Sequence, residues 1–271
     1  MLKKTTCSML AALLFLSSQL LFGQDVIQKI GDAGYVDWGS RVIRATGVAG
    51  INPNMPAGAQ RAGALEAAKY VALRNLLQVV QGMYITSETT VRNASLENDV
   101  IQSRIQGAIR TFRIVGEPRY MSDQSIEIDV EVPLDGVLSE SLLPVSDFKG
   151  QSTVNAGAGG YTGLVILAKG LNVMPAMAPK VLDEDGREVY GSSLVSREWA
   201  LKHGMVGYAK SVAQARKNER VKANPLVVRA LRASGDARAD LVISNEDAQK
   251  IRDIAEYQSF LSNCRVMFVV D

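Results

Sequence analysis

Apolar and polar positions follow two different rhythms along this chain. Between residues 57 and 81, Leu65, Ala68, Ala72, Leu76 and Val79 recur at three- and four-residue steps, and Leu73, Leu77 and Val80 widen the stripe. That period predicts a helix with one face packed on a sheet. Its many alanines are strong helix formers and permit close approach, and Gly82 stands where the helix should end. From residue 125 to 133 the rhythm changes to strict alternation. Ile126, Ile128, Val130 and Val132 take one face, and Glu127, Asp129 and Glu131 take the other. With residues 112–121 and the turn residues Ser122, Asp123 and Gln124, this predicts a hairpin.

The remaining elements fall around these two. Residues 35–49 are rich in β-branched and aromatic side chains and read as one strand, ended by the breaker cluster 52–56. Residues 83–91 read as extended. Residues 93–110 read as a helix with Leu96, Val100, Ile101 and Ile105 on its apolar face, and residues 135–143 as a short helix. After these comes a second group. Strands are expected at 163–168, 227–232, 240–243 and 265–270, with a hairpin over 179–190 turning at Asp185 and Gly186. Helices are expected at 196–218, where Gly204 and Gly207 mark either close packing or a break, and at 244–261. The class is therefore α+β: two small α/β sandwich domains, with helices packed on antiparallel-rich sheets. The small, glycine-rich stretch 145–160 reads as a flexible linker between a first domain at 24–144 and a second at 161–271.

The first 23 residues belong to neither. Lys3 and Lys4 precede a short apolar run and then Gly23, the layout of a secretory signal peptide. The run is interrupted by Ser17, Ser18 and Gln19, which makes it short for a span of about 20 apolar residues. An uncleaved anchor is the alternative. The chain has 30 basic and 28 acidic residues, and removing this segment removes two lysines and no acid. The balance is then even, so no excess charge points to nucleic acid or an anionic membrane. An apolar content of 47% with 21% charged residues argues against disorder. Cys7 leaves with the signal, no cysteine follows it for lipid attachment, and Cys264 is left as a lone thiol expected to be buried and inert.

Candidate chemistry is sparse. Glu127, Asp129 and Glu131 form a possible acidic face for a divalent cation. The plainer reading pairs them with Arg113 or Arg119 across the hairpin. Asp183 to Glu188 resembles part of a calcium loop but lacks its later ligands, so a turn is expected. Gly157 to Gly160 lacks the lysine of a phosphate loop and precedes a strand. His203 is the one histidine, and no Gly-x-Ser-x-Gly motif is present, so neither a catalytic set, a cofactor nor a metal is expected. Asn93, Ala94 and Ser95 match a glycosylation acceptor. Trp38 and Trp199 are expected in the core unless one marks a partner surface. The wide stripe of the first helix is such a surface too, through Leu73, Leu77 and Val80.

Several stretches together carry a likeness: Ala59-Gln-Arg-Ala62, Glu66-Ala-Ala68, Ala72-Leu-Arg-Asn-Leu-Leu77, Thr89-Thr-Val-Arg-Asn93, Gly107, Val115-Gly116 and Ile128-Asp-Val-Glu-Val132. Over about residues 36–143 the chain resembles the small envelope-lipoprotein family typified by flagellar proteins of the FlgP and FlgT type. Residues 161–271 are vaguely similar to the periplasmic α/β domains of FlgT-like proteins. The likeness departs in the missing lipid-attachment cysteine and the added second domain, and it transfers no catalytic residue. It implies an Ala-rich helix on a small sheet and a role in the cell envelope, as an assembly factor or ring component. Three readings follow. The first is a periplasmic, non-enzymatic protein acting by protein–protein contact in flagellar or outer-membrane assembly, including self-association. The second is a periplasmic module for a small ligand or cation, sited between the domains or at the acidic row. The third is a hydrolase built on scattered carboxylates, for which no motif speaks.

Overall fold

The computed structural model describes residues 26–32, 34–143, 147–149, 160–254 and 257–271. The expected signal peptide and most of the expected linker lie outside the described residues. Among the described residues no helix is long and apolar enough to cross a membrane.

The chain is α+β and builds two sheets. The first contains β1 (Ile27–Lys29), β2 (Gly34–Asp37), β3 (Val42–Gly50), β4 (Arg113–Tyr120) and β5 (Ser125–Pro133), in the antiparallel order β1-β2-β3-β5-β4. The stretch expected to be one strand is two, because a turn at residues 38–41 folds β2 back on β3. Helix α1 (Ala57–Gly82) covers one sheet face with Ala64, Ala68, Ala72, Leu76, Val79 and Val80. The alanines allow very close approach: a Cβ on Gly47 of β3 would lie 2.2 Å from the Ala68 carbonyl oxygen and 2.7 Å from the Ala72 Cβ.

The expected helix over 93–110 is also divided, into α2 (Val91–Glu97) and α3 (Asp99–Ile109). Asn98 is extended, and its side chain accepts hydrogen bonds from the Val100 and Ile101 amides, so it ends one helix and caps the next. The break separates the expected apolar face: Ile105 is buried, whereas Leu96 and Val100 are exposed. Helix α4 (Val137–Leu142) closes the unit.

The second sheet contains β6 (Leu164–Leu167), β7 (Val181–Leu182), β8 (Glu188–Tyr190), β9 (Gly207–Ala209), β10 (Leu226–Ser234), β11 (Asp240–Ile243) and β12 (Val266–Val269). Its order is β8-β7-β11-β10-β6-β12-β9. The hairpin β7–β8 and the pair β10–β11 are antiparallel, but β10, β6, β12 and β9 run parallel, so the centre is not the antiparallel arrangement expected. Strands buried on both faces lose the alternation that would have revealed them: β11 and β12 are buried at every position. The expected helix 196–218 is instead α5 (Arg197–His203), β9 and α6 (Val212–Lys217). Gly204, at φ +74°, ends α5. Helices α7 (Asn245–Asp253) and α8 (Tyr257–Ser262) precede β12, and the Ser244 side chain caps α7.

The two units share one apolar cluster that runs from Ile43 and Leu76 in the first to Phe268 and Leu241 in the second. A backbone seam adds to it. The amides of Met177 and Ala178 donate to the carbonyls of Tyr84 (3.0 Å) and Ile85 (2.7 Å). The Ala237 amide donates to the Ser87 carbonyl (2.8 Å), and the buried Ser87 hydroxyl donates to the Ser234 carbonyl (2.8 Å).

Candidate binding cleft between the two units

The acidic row is already neutralised. Register places Glu131 between Arg44 and Arg113, Asp129 beside Thr46, and Glu127 opposite Arg119. Arg44 Nε reaches Glu131 Oε2 at 2.8 Å and Arg113 Nε reaches Oε1 at 2.7 Å. Arg119 Nη1 reaches Asp129 Oδ2 at 2.6 Å and Arg119 Nε reaches Glu127 Oε1 at 2.9 Å, while the Thr46 hydroxyl donates to Asp129 at 2.7 Å. Burial raises the Glu131 pKa, but the two guanidiniums outweigh it and the net direction is down. The row is a ladder of cross-strand ion pairs.

The wide stripe of α1 is covered as well. Val80 is fully buried, and Leu73 and Leu77 are partly buried against the core. Helices α2 and α3 pack on α1 in addition to the sheet. Val80 therefore offers no surface to a partner.

A cleft of about 370 Å³ opens where the units meet. Both tryptophans and the one histidine of the chain line it. Trp38 and Arg41 come from the β2–β3 turn. Trp199 and His203 come from α5, Gly207 and Tyr208 from β9, Arg220 and Lys222 from the loop after α6, and Asn263 and Arg265 from the approach to β12. The turn is shaped by Asp37, whose carboxylate accepts from the Gly39 amide (2.9 Å), the Ser40 amide (3.1 Å) and the Ser40 hydroxyl (2.5 Å). Trp38 is 6% exposed; its Nε1 donates to Gln28 and its ring meets Tyr208 edge-on, centroids 5.4 Å apart. Trp199 stacks on His203 at 4.9 Å and 26°.

Cations outnumber anions in the lining of the cleft: Arg41, Arg220, Lys222 and Arg265 stand against Glu219. Arg41 donates to the Lys202 carbonyl at 2.8 Å. Arg220 donates to the carbonyls of Gly204 (2.9 Å), Cys264 (2.7 Å) and His203. The bonds to Lys202, His203 and Gly204 satisfy carbonyls at the C-terminal end of α5, and the bond to Cys264 ties the approach to β12 to it. They supply dipoles and no negative charge. Among the described residues neither guanidinium has a carboxylate oxygen within 4.0 Å. Among the described residues Arg41 commits one of its five N–H groups, to the Lys202 carbonyl. Burial lowers the pKa of both arginines; the charge of Arg220 lowers that of Arg41 further, and the Asp135 carboxylate opposes this without reversing it. His203 is lowered by burial and then by Arg220, Lys202 and Arg41. Burial is the largest cause of each of these shifts, and nearby cations add to it at Arg41 and His203.

Backbone strain collects at the same place. Arg41 and Lys222 line the cleft at φ +57°, and Cys264, whose carbonyl holds Arg220, is at φ +54°. Such conformations cost about 1–3 kcal/mol each for residues with a side chain and persist where the surroundings enforce them. Gly207 supplies the space for the second arginine, since a Cβ there would stand 2.9 Å from Arg220 Nε. Cys264 itself is buried, and burial pushes its thiol up to about 12.

No spacing in the chain announces this convergence. Trp38 and Arg41 lie some 160 positions from Trp199 and His203 and join them through the docking of two separately built units. The usable signals were compositional: two tryptophans, one histidine, and Gly204 and Gly207 inside an expected helix.

A family model described as the second domain of Treponema pallidum Tp0624 matches residues 163–271. No curated protein matches the chain. The matched stretch supplies Trp199, His203 and Arg220, whereas Trp38 and Arg41 lie outside it.

Proposed function

We propose that this chain is a periplasmic, non-enzymatic module of the cell envelope that works by recognition, taking an anionic group into the cleft between its units. The observation that carries this reading is the pair Arg41 and Arg220, which line one cleft and, among the described residues, have no carboxylate oxygen within 4.0 Å. Burying a cation without a counter-charge is costly, and a bound anion would repay that cost through charge-assisted hydrogen bonds. Inorganic phosphate is the simplest probe. Titrating it into the full chain should change the tryptophan emission saturably, and Arg41→Ala should weaken it at least about tenfold, as expected for a lost hydrogen bond to a charged group. If neither tryptophan emission nor the His203 resonance responds to phosphate or acetate, the reading fails.

Protein–protein contact in flagellar or outer-membrane assembly is the second reading. The exposed pair Leu96 (81%) and Val100 (57%), flanking the α2–α3 break, favours it. Replacing both with serine should then reduce recovery of the chain with the envelope fraction while leaving the phosphate response intact. Equal recovery would count against contact through this surface.

A further inference from the structure

We propose that the ligand of the cleft is an anionic sugar, a saccharide ring carrying a carboxylate or a phosphate. The inference rests on the anion-binding reading above and adds the body to which the anion is attached. Size is the first reason. A water molecule takes about 30 Å³ of liquid volume, so a cleft of about 370 Å³ holds about a dozen waters. An inorganic oxyanion bridging Arg41 and Arg220 would leave most of that space to solvent. The volume lies within the range of small-molecule sites, about 300–1,000 Å³.

The chemistry of the walls is the second reason. Next to the two arginines stands a flat aromatic wall, the Trp199–His203 stack, with centroids 4.9 Å apart. The rest of the lining is polar and able to donate or accept, including Asn218, Lys222 and the carboxylate of Glu219, which can accept from a sugar hydroxyl. A saccharide matches this combination. One face of its ring presents C–H groups that pack on an indole, and its rim presents hydroxyls for amide and ammonium groups. An aromatic acid would match the arginines and the aromatic wall but would leave the polar lining without partners, which costs affinity. A neutral sugar would leave the arginines uncompensated.

The two tryptophans and one histidine of the chain all line this cleft, so intrinsic fluorescence and the His203 resonance report on it directly. The full chain is titrated with glucuronate, glucose 6-phosphate, glucose, benzoate and inorganic phosphate. Glucuronate, glucose 6-phosphate or both should bind about tenfold more tightly than phosphate, benzoate and glucose, the carboxylate and phosphate arms telling which anion is preferred. Binding should raise the His203 pKa, because a neighbouring anion favours the protonated ring. Trp199→Ala should reduce the sugar acids to the affinity of phosphate, and Trp199→Phe, which keeps a ring, should retain most of the advantage. Phosphate binding as tightly as glucose 6-phosphate, or benzoate as tightly as glucuronate, overturns the sugar and leaves the anion-binding reading standing. Full sugar-acid affinity in Trp199→Ala also overturns it. No response to any anion, or equal affinity for glucose and glucuronate, overturns both.

Discussion

Gly47 is where the helix and the first sheet come closest, and replacing it with alanine tests whether that closeness holds the first unit together. The added Cβ would meet the Ala68 carbonyl oxygen at 2.2 Å, the Ala72 amide nitrogen at 2.5 Å and the Ala72 Cβ at 2.7 Å. Two of these atoms are helix backbone, so no rotamer change relieves the clash. Helix α1 must shift away from β3, by about 1 Å if ordinary contact distances are to return. A gap of 0.5–1 Å forfeits about a quarter to a half of each dispersion well along the interface. The shifted contacts include those of Ala64, Ala68, Ala72 and Leu76, all buried. Overpacking usually costs about 1–3 kcal/mol, and a backbone clash belongs at the upper end, so Gly47→Ala is expected to lower stability by about 3 kcal/mol. Gly50, at the end of the same strand, is the control. A Cβ there meets nothing within 4 Å, and Gly50→Ala should be neutral or stabilise by up to about 1 kcal/mol through the unfolded chain. Urea unfolding followed by circular dichroism gives both values, provided the slope with denaturant stays unchanged. A Gly47→Ala midpoint equal to that of Gly50→Ala would refute the close packing of α1 on β3.

Burial raises the Asp240 pKa to about 6; the hydrogen bond from the Lys180 amide opposes this, and Glu88 and Glu188 add to it. The folded chain then holds this proton more tightly than the unfolded chain, so stability falls as pH rises from about 4 to about 6 and levels off above. Asp240→Asn, which keeps an acceptor for Lys180, should be the more stable form at pH 7 by on the order of 2–3 kcal/mol, with the gain nearly gone at pH 4. A gain of equal size at both pH values would exclude this carboxyl as its source. Cys264 is buried with its thiol pushed up to about 12 by burial, so in a Cys7→Ser chain it should resist a disulfide reagent at pH 8 while folded and react fully in concentrated guanidinium. Rapid reaction of the folded chain would place the thiol at the surface.

The first unit was the more legible of the two, for a physical reason. Its sheet has one face on α1 and one on solvent, so β5 shows its alternation and α1 its 3.6-residue stripe. The hairpin and its arginine partners could be read for the same reason. In the second unit β6 and β12 are flanked by parallel strands, and runs such as VMFV carry no period. The region 196–218 misled because Val206, Tyr208 and Ala209 suit a helical stripe as well as a strand, and the decision was made by Gly204 at φ +74°. Asn98 misled in the opposite sense, since a single side-chain cap divided a plausible helix. A site between the domains was one expectation, but the residues that line the cleft could not be read from the sequence. His203 and the tryptophans were each better explained alone, as surface or core residues, and only the docking of β9 against the β2–β3 turn sets Tyr208 against Trp38.

The position of the cleft bears on why it is built at such cost. Arg41 adopts a conformation that glycine or asparagine would take more cheaply, in a turn already organised by Asp37. Arg220 is desolvated to hold carbonyls that water or a lysine could satisfy. For folding alone, both choices waste stability. They make sense if the guanidiniums themselves are wanted, fixed in place and only partly compensated, so that little ordering remains when a ligand arrives. One arginine comes from each unit, and the same holds for the tryptophans: Trp38 from the first, Trp199 from the second. A ligand spanning the charged and aromatic walls would therefore touch both units, and its binding energy would add directly to the seam formed by Tyr84, Ile85 and Ser87. A site of this kind requires the two units to be fused through a shared core, as they are here, because free motion between them would separate Arg41 from Arg220 and destroy the cleft.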